Sequence, residues 1–90
     1  MQKIGLWDDN AQRLTALERN LRVVMKAMNI KAEVQMNNEP PLLARHGING
    51  KTPAVQVNDG DFWTHVPDEL ISVENLEKLF TALRREKILE

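Results

Sequence analysis

Chemistry in a short chain falls to its nucleophiles, its imidazoles and its paired acids, and here each of these is sparse. Two acid pairs, Asp8-Asp9 and Asp68-Glu69, have the composition of a general acid and base, but both lie in polar stretches where carboxylates stay solvated. The only histidines, His46 and His65, belong to no spaced cluster of the H-E-x-x-H or Cys/His kind, so no metal is expected. Ser72 is the sole serine and reads as a helix cap, which leaves a Ser-His-Asp arrangement without support. Gly47 and Gly50, in GINGK, have no helix start behind them, so they form no phosphate cradle. Cysteine is absent altogether. Its absence removes disulfides, thiol nucleophiles, thiolate metal ligands and cysteine redox sensing together. We therefore expect no catalysis and no cofactor.

Composition narrows the partners. The chain has 90 residues, enough for one modest core, and is expected to form a single domain over residues 1–90. Its formal net charge is −1 with acids and bases interspersed, so no basic face is available to collect phosphates and nucleic acid is not expected. MQKIGLWDDN contains no apolar run of signal-peptide or membrane-spanning length, nor does any other segment, and the expectation is a soluble cytoplasmic protein.

The elements that must position these residues follow from periodicity. KIGLW, Lys3 to Trp7, alternates like a strand. From Ala11 the apolar residues Leu14, Leu17, Leu21, Val24 and Met28 fall at steps of three and four, the stripe of a helix against a core. KAEVQM, Lys31 to Met36, reads as a second strand, and strand-helix-strand at this spacing predicts a parallel, right-handed βαβ unit. A short helix within NNEPPLLARHGING takes its prolines in the first turn, with Gly47 set for the left-handed position after its end and Ile48 within reach of Leu43. TPAVQV, Thr52 to Val57, is a third strand, with Pro53 accommodated by a turn, an edge or a cis bond. NDGD puts Asp59-Gly60 at the centre of a hairpin into FWTHV, an antiparallel fourth strand that carries His65. Phe62 and Trp63 then face opposite sides of that strand. Ser72 caps a last helix striped by Leu76, Leu79, Phe80 and Leu83.

The predicted order is thus β-α-β-α-β-β-α, an α/β domain with helices packed on a four-stranded mixed sheet. With KIGLW leading into LERNLRVVM, then GINGKTPAVQV and SVENLEKLF, the chain resembles the small thioredoxin-like and glutaredoxin-like proteins of the redox-active disulfide type over nearly its whole length. The resemblance implies a minimal thioredoxin fold whose Cys-x-x-Cys motif would sit on Ala11 to Leu14, where both sulfur positions are gone. It also implies that Thr52-Pro53 is the family's Thr-cis-Pro element, which in relatives lies against the active site beside backbone that pairs with peptide or glutathione.

The junction LWDDNAQRL then reads as a redox site without its redox groups. One of Asp8, Asp9 or Asn10 is expected to be the N-cap, with the acids forming a rim that disfavours anionic ligands. The leading expectation is a redox-inactive domain that binds a protein through Trp7, Asp8, Asp9, Asn10, Ala11, Leu14, Thr52 and Pro53, with Trp7 and Leu14 as an apolar contact patch. Two alternatives stand beside it: a site for glutathione or a related thiol peptide on the Thr52-Pro53 backbone, and a structural homodimer through an edge carrying Trp63 and His65.

Overall fold

The computed structural model describes residues 2–90. Its elements are β1 (Gln2–Trp7), α1 (Ala11–Ala27), β2 (Ala32–Asn37), α2 (Pro40–Arg45), β3 (Ala54–Val57), β4 (Phe62–Trp63) and α3 (Val73–Arg85). The sheet runs β2-β1-β3-β4, with β1 parallel to β2 and β3 antiparallel to both β1 and β4. The mixed four-stranded sheet and three helices follow the order expected from the sequence.

Alternation divides the sheet into two unequal faces. Ile4, Leu6, Val55 and Val57 point to one side, where they form the main core with Leu14, Leu17, Leu21, Val24 and Met25 of α1 and Leu76 and Phe80 of α3. Each wholly buried leucine or phenylalanine there contributes about 1.5–3 kcal/mol. Met28, expected on the α1 stripe, is only partly buried, because the helix ends there and Met25 takes the inward place. Trp7 and Ala54 point to the other side and pack with Leu43 and Ile48 under α2, with Phe62 against them. Phe62 and Trp63 do face opposite sides, Phe62 joining the α2 cluster and Trp63 the main core.

All three helices stop by the same device. Asn29, Gly47 and Lys87 take positive φ just past α1, α2 and α3. The next residue, an isoleucine each time, donates its N–H back to the helix: Ile30 to Met25, Ile48 to Leu43 and Ile88 to Leu83. Ile30 and Ile48 are buried, but Ile88 is 44% exposed. At the starts, Asn10 and Ser72 are the caps, accepting from the N–H of Arg13 and Asn75.

Three sequence expectations are corrected around β3 and β4. β3 begins at Ala54, and Thr52 and Pro53 precede it, joined by a cis peptide bond. The hairpin centres on Asn58 and Asp59, both at positive φ, with the Gly60 N–H closing the turn onto the Val57 carbonyl. Asn58 holds that place because its side chain accepts from the Lys3 N–H and donates to the Ile88 carbonyl, anchoring the turn to β1 and to the chain end. β4 stops at Trp63, so His65 lies beyond the strand; the chain turns away there as the Thr64 hydroxyl donates to the Lys51 carbonyl.

Candidate functional site

The end of β1 is where the sequence concentrates its candidates. Trp7 stands opposite Ala54 in the ladder, so the β1–α1 junction and the Thr52-Pro53 segment meet at one end of the sheet. The junction is held by an ion pair. Asp8 is fully buried, and its carboxylate accepts from Arg13 Nε at 2.6 Å on one oxygen and from Arg13 NH2 at 2.8 Å on the other. The second of these oxygens, Oδ1, also accepts from the Asn10 N–H at 3.0 Å. Such a two-pronged pairing is the strong geometry for guanidinium and carboxylate, and it compensates the cost of burying the charge.

Arg13 continues the network outward. Its NH1 donates to the Asp68 carbonyl at 3.0 Å, and the Asp68 N–H donates to the Thr52 carbonyl at 2.8 Å. The hydrogen bond to Asp8 holds the guanidinium above its ordinary pKa; burial opposes this, and the charges of Asp8, Asp68 and Asp9 add to it. Arg13 is therefore a fixed cation joining α1, the β1 end and the loop before α3.

This geometry corrects the expected contact surface. Trp7 and Leu14 retain only 8% and 3% exposure and belong to the two core clusters, so they present no apolar patch. Asp8 is neither solvated nor part of a rim, which leaves exposed Asp9 as the acid beside exposed Asn10 and Ala11. Thr52 and Pro53 are buried, and of the backbone there that was expected to meet a ligand, the Thr52 carbonyl already accepts from the Asp68 N–H. The structure brings Asp8, Thr52 and Asp68 together through Arg13, a residue that falls off the apolar stripe of α1. A signal for it existed: a cation in the first turn opposes the helix dipole unless an anion holds it.

The same face of the sheet carries a small aromatic group. Trp7 meets His46 at 4.9 Å and Phe62 at 5.3 Å between ring centroids, both edge-on. A Cβ at Gly5 would stand 2.9 Å from Trp7 Nε1, so only glycine lets the indole lie over β1. Ser72 is engaged as a cap, and among the described residues no group of three His, Cys, Asp or Glu could hold a metal. No helix among them is long and apolar enough to cross a membrane.

A second candidate lies on the opposite face at the β4 edge. A groove of about 440 Å³ runs between β3, β4 and the end of α3. Trp63, Leu79, Leu83 and Ile88 supply its apolar lining, and Asp61 and Glu86 are its charged residues. Trp63 stacks on His65 with ring centroids 5.8 Å apart, so the two expected edge residues are neighbours although only one belongs to the strand.

Comparison of the chain with protein-family models, with curated proteins and with solved structures returned no match.

Proposed function

We propose that this chain is a cysteine-free, thioredoxin-like domain that acts by binding another protein and not by redox chemistry. The element order and the position of Thr52-Pro53 beside the β1–α1 junction support the family assignment. One observation carries the function: a buried Asp8–Arg13 pair closes the junction at the point where a redox relative would hold its thiols. That pair offers no nucleophile to a disulfide, and the Asp68 N–H occupies the neighbouring Thr52 carbonyl. Function belongs to sites and not to folds, and the half-open apolar surface of this domain lies at the β4 edge. Recognition of a partner there is the role that such a surface serves. A glutathione site fits less well, because Thr52 and Pro53 are buried, the Thr52 carbonyl already accepts from Asp68, and Asp9 stands exposed beside the junction to repel an anion.

The test is an amide correlation spectrum of labelled protein recorded while reduced and then oxidised glutathione are added to millimolar levels. The spectrum is expected to stay unchanged. Shifts confined to residues 7–14 and 52–54 would establish a small thiol-peptide site and overturn the protein-binding role.

A further inference from the structure

Resting on that binding role, we propose that the groove beside β4 receives an extended segment of another protein that is both apolar and basic. β4, two residues long, ends the sheet, and among the described residues no strand pairs with its outer side, so the groove is left open along that edge. The groove opens beside that edge, where alternate side chains of an extended segment would descend onto Trp63, Leu79 and Leu83.

Two observations define the partner. The first is the unmet apolar surface at Ile88. The isoleucines that close α1 and α2 are 5% and 4% exposed, whereas the one that closes α3 is 44% exposed and lines the groove. The chain supplies a core for the first two and none for the third. The second is charge. Asp61 and Glu86 are exposed, and neither forms an ion pair among the described residues. The basic residues at the end of α3 turn elsewhere: Arg84 donates to the carbonyls of Glu90 and Met28, and Arg85 and Lys87 line other surfaces. The groove is therefore apolar with an acidic rim and no cation of its own. A second copy of this chain complements it poorly, because a two-fold contact would set Asp61 and Glu86 against themselves.

The probes are two capped hexapeptides, Val-Lys-Val-Lys-Val-Lys and Val-Glu-Val-Glu-Val-Glu, titrated into the labelled full chain at low salt. The lysine peptide is expected to shift amides within residues 58–65 and 79–88 and to bind at least ~10-fold tighter than the glutamate peptide. The double variant Asp61→Asn/Glu86→Gln, which changes only exposed side chains, should bring the two peptides within about twofold of each other. Equal affinities in the unmodified protein, no binding of the lysine peptide, or shifts placed outside the groove would each overturn the proposal while leaving the glutathione result to judge the broader role. Sedimentation showing a dimer that Trp63→Ala dissolves would also overturn it, in favour of a second copy as the occupant.

Discussion

Trp7 and Trp63 stand opposite consecutive residues of β3, Ala54 and Val55, yet one is sealed and the other only partly buried. The strands place them on opposite faces, and what covers each face decides their fates. On the Trp7 side, α2 and its closing Ile48 lie across the indole, with His46 and Phe62 at its edges. On the Trp63 side, α3 covers β3 but is closed by an isoleucine that finds no core. The same residue type is thus packing in one place and surface in the other, and the difference shows which face is free to bind.

The largest effect should come from setting the two tryptophans against each other. Trp7→Ala removes a buried ring and leaves a cavity, at an expected cost of about 4 kcal/mol in urea unfolding. That is a large share of the ~5–15 kcal/mol that holds a small domain together. Trp63→Ala should cost less, about 2 kcal/mol, since that ring is packed against the main core but keeps part of its surface in water. Similar losses from the two variants would erase the contrast between sealed and open faces.

Arg13 sharpens the comparison from the junction side. Arg13→Met leaves the Asp8 carboxylate buried without its counter-ion, at an expected cost of about 3 kcal/mol. Replacing both partners, as Asp8→Leu/Arg13→Met, should be less damaging than the single change, because the stranded charge is gone. If the double variant unfolds at lower urea than the single, the pair is a net source of stability and not merely a compensated burial.

Gly5→Ala probes the packing of Trp7 from below. Its Cβ would sit 2.9 Å from Trp7 Nε1, and the indole would have to lift from the strand. Overpacking of this kind costs about 2 kcal/mol. A further readout is tryptophan emission, which should shift toward that of an exposed indole; an unchanged spectrum with unchanged stability would mean that the ring has room to move.

The elements were legible because local pattern and tertiary demand agree in them. The α1 stripe, the Ser72 cap and the Gly47-Ile48 closure of α2 are each written in a few adjacent residues. The candidate site was not legible in the same way. Asp8 finds its partner five residues on, and the loop at Asp68 comes back to Thr52 from a distant part of the chain. An Asp-Asp-Asn stretch looks solvated until something covers it, and burial is decided by that covering. Trp7 illustrates the same point: alternation gives its face, but only the position of α2 makes that face an interior. The hairpin was displaced by one residue because Asn58 is fixed by Lys3 and Ile88, contacts with no local signature.

The smallest expected effect concerns the end of α3, where the open face begins. Lys87 closes that helix at φ 62°, the place that glycine holds after α2. A side chain in the left-handed region costs about 1 kcal/mol, and glycine returns part of that gain to the unfolded chain as entropy. Lys87→Gly should therefore stabilise the domain by about 0.5 kcal/mol and raise its melting temperature by a few degrees. The Lys87 side chain does not line the groove, so binding of the lysine hexapeptide should be unchanged. Stabilisation without a change in binding would separate the closure of the helix from the exposure of Ile88 beside it. A weaker peptide complex in Lys87→Gly would instead tie the two together, making the strained turn part of what holds Ile88 in the groove.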